Sequence, residues 1–89
     1  MVEISPRTLR LIRAAMLMHG EDRWASPMAR RLGISPTYVS LMASGGKQVT
    51  GEVEKRLLQV LQQERKRMKA VSAELAEIIA EIKQEQNDG

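Results

Sequence analysis

The chain has 89 residues, 28% of them charged, and a formal net charge of +3, which suits one small domain with one appended element. It contains no cysteine, which excludes disulfides, a thiolate zinc site and a thiol nucleophile and fits a reducing, cytoplasmic setting. No apolar run approaches the length that spans a bilayer, so no membrane partner is expected, and the first residues, with Glu3 and little apolar length, do not read as a secretory signal.

There is no phenylalanine, one tryptophan and one tyrosine, so the core must come from Leu, Ile, Val, Met and Ala, as in helical proteins. Charge is distributed unevenly. Up to Val49 there are seven basic and three acidic residues; from Thr50 onward there are seven and eight. The first half is therefore the one suited to a polyanion.

Ser5-Pro6 opens a first helix, with serine as N-cap and proline at the first helical position, where its missing N–H costs nothing. Leu9, Ile12 and Met16, with Leu17, give a stripe at helical spacing that is expected to face the core. Gly20 ends this helix, and Glu21-Asp22-Arg23 is a polar turn. His19, near the helix C-terminus, is expected to cap carbonyls or to be solvated; with one histidine and no cysteine, no metal site is expected. Trp24 stands where a hydrophobic staple packs down onto a following helix.

The stretch from Ala25 to Ser44 divides into two short helices. Ser26 is read as the N-cap of the first, with Pro27 at its first position, and Gly33 as its left-handed C-terminal residue. Only Ile34 intervenes before Ser35-Pro36 repeats the cap-plus-proline start. Met28, Ala29 and Leu32 share one face of the first helix and Val39 and Met42 one face of the second, with Ile34 plugging the corner. This is a helix-turn-helix whose second helix keeps a free outer face.

The spacing of Ala29, Gly33, Ile34, Val39 and Met42, and the run Gly33-Ile34-Ser35-Pro36-Thr37-Tyr38-Val39-Ser40, resemble the lambda-repressor-like (Cro/CI, xenobiotic-response-element) DNA-binding family. The resemblance covers about Ile4 to Leu61. It implies major-groove binding of double-stranded DNA and transcriptional regulation. The outward positions of the family's recognition helix fall on Pro36, Thr37, Ser40, Leu41 and Ser44. None is Arg, Asn or Gln, the side chains that make bidentate base contacts, so this sequence departs from many relatives. Thr37 and Leu41 can touch thymine methyls and Ser40 and Ser44 can make single hydrogen bonds, so either Gln48, Lys47 or an arginine supplies hydrogen bonds from the flank or DNA shape does much of the work. For phosphate, Arg30, Arg31 and Lys47 come first, then Arg7, Arg10 and Tyr38. Amides and hydroxyls at the helix starts, at Ser26 and Ser35, attract anions too. Gly45-Gly46-Lys47-Gln48-Val49 reads as a flexible loop that in the family lies along the DNA backbone, placing Lys47 and Gln48 near phosphate. It lacks the length, the Ser/Thr after lysine and the preceding strand of a nucleotide-binding loop.

Thr50 is a plausible N-cap, with Glu52 and Glu54 in the first turn of the helix it opens and Val53, Leu57, Val60 and Leu61 on one face. From Glu52 to Gln86 there is neither Gly nor Pro, so one long helix is possible, unless the polar run Gln62-Gln63-Glu64-Arg65-Lys66-Arg67 breaks it. Met68, Val71, Leu75, Ile78 and Ile82 then follow alternating spacings of three and four, broadened by Ile79, like the a and d positions of a coiled coil of about two heptads. Such a stripe must fold back or meet a second copy, and the polar spacer favours the second copy. No parallel charge pair fixes the orientation, and an antiparallel one could join Arg67 to Glu81. Gln84 to Gly89 reads as a fraying tail.

The expected architecture is therefore all-α. Residues 1–61 form a compact helix-turn-helix domain, 62–86 a C-terminal helical oligomerisation segment and 87–89 a tail. The function expected is a sequence-specific transcriptional regulator, a repressor of mobile-element type, that binds a palindrome as a homodimer with recognition helices about one DNA turn, roughly 34 Å, apart. The alternatives are a DNA-packaging or architectural adaptor that oligomerises through its C-terminal helix, and a protein-interaction module whose basic face meets an acidic partner. No acid–base pair, positioned nucleophile or metal cluster points to an enzyme, and no cofactor or small-molecule ligand is expected.

Overall fold

A computed structural model describes residues 4–88; residues 1–3 and 89, assigned above to the head and the tail, lie outside them. The described residues form four helices: α1 Pro6–His19, α2 Ala25–Leu32, α3 Pro36–Ala43 and α4 Gly51–Asp88. α1 and α2 pack against the N-terminal part of α4, α3 packs against α1 and α2, and the remainder of α4 projects from this head, giving a particle of 63 × 23 × 21 Å.

Local chemistry sets most boundaries. The Ser5 hydroxyl accepts from the Thr8 N–H at 3.2 Å, and the Ser35 hydroxyl from the Tyr38 N–H at 3.1 Å, each followed by proline. The Thr50 hydroxyl accepts from the Val53 N–H at 3.2 Å. Gly33 ends α2 at φ 73°, and the Ile34 N–H donates back to the Ala29 carbonyl at 3.0 Å. A side chain there would strain the left-handed backbone that turns α2 into α3.

The start of α2 differs from the sequence reading. The helix begins at Ala25 with Trp24 in the capping position, and no side chain caps it. Ser26 and Pro27 fall at its second and third positions. Pro27 still fits, because amides throughout the first turn lack intrahelical partners. Part-buried Trp24 packs against the core and holds the helix start by packing rather than by a hydroxyl.

Met28, Ala29, Leu32, Val39, Met42, Val53, Leu57 and Val60 join one buried cluster, with Ile34 and Leu61 packed against it. α1 contributes a different face from the one expected. Thr8, Leu11 and Ala15 are buried, Ile12 and Met16 are half-buried, and Leu9 and Leu17 are 54% and 81% exposed. Both rows have helical spacing, one residue apart. The row with smaller side chains faces inward because α1 must lie close to all three other helices. The Thr8 hydroxyl is satisfied by the Ser5 hydroxyl at 3.0 Å. His19 neither caps a carbonyl nor meets water through Nε2, which is enclosed without a hydrogen-bond partner among the described residues.

α4 is continuous through the polar run, so that run is no break. It remains helical to Asp88, where Gln84 donates to Asp88 at 3.4 Å; the segment beyond Gln84 is helix rather than frayed coil. At about 1.5 Å per residue its 38 residues run nearly 60 Å. No helix among the described residues is long and apolar enough to cross a membrane.

Leu11→Ala should destabilise the protein by about 2–5 kcal/mol, whereas Leu9→Ala should change stability by no more than about 0.5 kcal/mol. Urea unfolding of the two variants distinguishes the observed inward face of α1 from the neighbouring row.

Candidate nucleic-acid interface

The α3 helix has two unlike sides. Val39 and Met42 are fully buried. Pro36, Thr37, Ser40 and Ser44 are exposed, and Leu41 is 41% exposed. Tyr38 is half-buried against the core. The outward surface is thus short, uncharged and hydroxyl-rich. Ser35 and Ser44 are partly occupied by the fold: the first caps α3, and the Ser44 hydroxyl donates to the Leu41 carbonyl at 3.1 Å.

The loop after α3 is tied down rather than loose. The Gly46 and Lys47 N–H groups both donate to the Leu41 carbonyl, at 2.8 and 3.2 Å, Gly45 takes φ 88°, and Val49 is buried. Lys47 and Gln48 are exposed just past the end of α3. On the α2 side, Ser26 and Arg30 are exposed. Arg30 and Lys47 form no ion pair among the described residues.

Other nominated cations are engaged. Arg10 donates to Glu54 from Nε and Nη2, with contacts of 2.7, 2.9 and 3.2 Å, and Arg7 lies 3.9 Å from the same carboxylate. Arg31 donates to Glu64 at 3.0 Å. Glu54 thereby links α1 to α4, and Glu64 links α2 to α4. Arg56 adds a third link by donating to the Leu32 carbonyl at 3.3 Å, at the C-terminal end of α2. Arg7, Arg10 and Arg31 are therefore structural cations first; a phosphate would have to compete with a carboxylate for each.

Sequence reasoning missed the role of Glu64, although the signal was present. Val53, Leu57, Val60 and Glu64 follow spacings of four, three and four, so Glu64 continues the inward row of α4. A carboxylate at such a position needs charged partners, and Arg67 and Arg31 supply them. Hydrogen bonds from Arg67 and then Arg31 pull its pKa down from 4.5 to about 2 against the opposing effect of burial. Among the described residues no group of three or more His, Asp or Glu side chains could hold a metal ion.

No family model, curated protein or solved structure matches this chain. The functional reading therefore rests on its own residues.

The lowered pKa of Glu64 predicts a pH dependence. Its native-state preference for the ionised form contributes stability that is complete above its unfolded value of 4.5 and is lost as pH falls toward about 2. Glu64→Gln should remove most of the loss of unfolding free energy that this residue causes between pH 5 and pH 2. Chemical denaturation of both proteins across that range measures it.

Proposed function

We propose that this protein is a sequence-specific DNA-binding regulator of transcription, a repressor in kind, that lays α3 in the major groove and works as a homodimer. The observation that carries the reading is the division of α3 into a buried Val39–Met42 side and an open Thr37–Ser40–Leu41–Ser44 side, with exposed Lys47 just past its end and exposed Arg30 on α2, neither in an ion pair among the described residues. A short, apolar-and-hydroxyl surface can approach base edges closely, and a cation past the end of the helix, as Lys47 is, can hold a flanking phosphate. The row of half-exposed Met68, Val71, Leu75, Ile78, Ile79 and Ile82 along the projecting part of α4 supports the homodimer, because a lone chain leaves this row in water. A weakly reading head also gains specificity from a twin.

A second reading keeps DNA as the ligand and changes the task. The open face of α3 carries no Arg, Asn or Gln, so direct base discrimination is limited. That observation favours an architectural or packaging adaptor, which grips DNA by backbone and shape. The two readings differ in how affinity depends on sequence.

Titration of duplex DNA at several salt concentrations tests both. Arg30→Ala and Lys47→Ala should each weaken binding for all sequences and reduce the slope of log affinity against log salt by about 1. Thr37→Ala with Leu41→Ala should weaken the preferred sequence more than random DNA. Equal weakening of both would favour the adaptor, and binding that salt does not affect would remove DNA as the ligand.

A further inference from the structure

An open groove of about 640 Å³ lies between α1 and α4, on a different part of the head from the open side of α3. Leu17 and Met18 of α1 and Leu61 and Met68 of α4 make much of its lining apolar, and the Glu64–Arg67 pair lines it beside them. Leu17 is 81% exposed and Met68 58%. Leu61 and Met68 are seven residues apart, and Leu75 and Ile82 continue the same register. The groove is therefore the head-proximal end of the apolar row along α4. Charge changes sign along that row. Arg65, Lys66, Arg67 and Lys69 lie beside the groove, whereas Glu74, Glu77, Glu81, Glu85 and Asp88 lie beyond it, with Lys83 as the one basic residue there.

We propose that the groove receives the C-terminal half of α4 from a second copy of this chain, and that the two α4 helices run antiparallel. A parallel pair would set the basic segment against its own copy and the acidic segment likewise, which is destabilising. Antiparallel pairing about a point near Ala73 brings Ile78 and Ile82 of the second copy level with Met68 and Glu64, and Glu81 of the second copy level with Arg65 and Arg67. It also adds the α1 side chains Leu17 and Met18 to an apolar seam of only about two heptads, which is short for a stable helix pair by itself. The inference rests on the homodimer proposed above and fixes its geometry. With each head centred near Leu57, about 16 residues from the dyad, the two heads sit roughly 50 Å apart along the helix direction. That exceeds one DNA turn and assigns the half-sites a longer spacing than the roughly 34 Å expected of a compact dimer.

The full chain has no cysteine, so Gln86→Cys carries a single spin label. Pulsed dipolar spectroscopy should give one label-to-label distance of about 40 Å, from 13 residues on either side of the dyad at about 1.5 Å each. A distance near the roughly 10 Å between parallel neighbouring helices, allowing for label linkers, would overturn the inference while leaving a dimeric DNA reader intact. Absence of any dipolar coupling at concentrations that saturate DNA would overturn both the inference and the homodimer. Leu17→Asp should weaken self-association at least tenfold with unchanged helicity, since Leu17 is 81% exposed within its own chain. Unchanged association would remove the groove from the interface.

Discussion

Everything else in the structure hangs on the burial of Val39 and Met42. These two side chains decide which way α3 is rotated about its axis, and rotation decides what the helix offers to anything outside. Both lie wholly inside a cluster that also holds Met28, Ala29 and Leu32 of α2 and Val53, Leu57 and Val60 of α4. Turning α3 by one residue would expose Met42 and force Ser40 or Thr37 into an apolar core, trading a buried large side chain for an unsatisfied hydroxyl. The left-handed turn at Gly33 sets the path into α3, and core packing sets its roll. A helix of only eight residues has little stability of its own, so its orientation is a tertiary property.

The long helix performs two tasks along one axis. Its first part closes the core and carries Glu54, Arg56 and Glu64, each of which grips another helix through a side chain. These links occupy arginines that a basic surface would otherwise present. Positive charge without a carboxylate partner among the described residues is consequently confined to fewer positions than the composition implies. Beyond Arg67 every described residue of the same helix is exposed, and its apolar row stays about half exposed. The two parts are joined without a flexible link, so whatever covers the row also fixes the direction in which the head points.

Much of this was legible from residues alone, for identifiable reasons. Caps at Ser5, Ser35 and Thr50 and the stop at Gly33 depend on local backbone chemistry, which short sequence windows contain. The inward residues of α2 and α3 were legible because each helix has only one apolar face. The inward face of α1 was not. Two apolar rows compete there, and the choice between them depends on how closely α1 must approach its neighbours. The role of Ser26 was misread because a serine followed by proline looks like a cap whether it stands before the helix or inside its first turn; the packing of Trp24 moves the start back. The commitments of Arg10 and Arg31 depend on carboxylates 44 and 33 residues away, and no local pattern reveals such pairs. The charged run around Glu64 concealed a core position because its neighbours are all solvated.

The most direct test of the central claim is selection of bound sites from a pool of random duplex DNA by the full-length chain. The account predicts enrichment of an inverted repeat, with each half-site short and rich in steps whose methyl groups or shape suit Thr37, Ser40 and Leu41, and with a fixed spacing between halves. A pool that emerges without enriched sequence or symmetry, from a protein that is folded and at binding concentration, would contradict it.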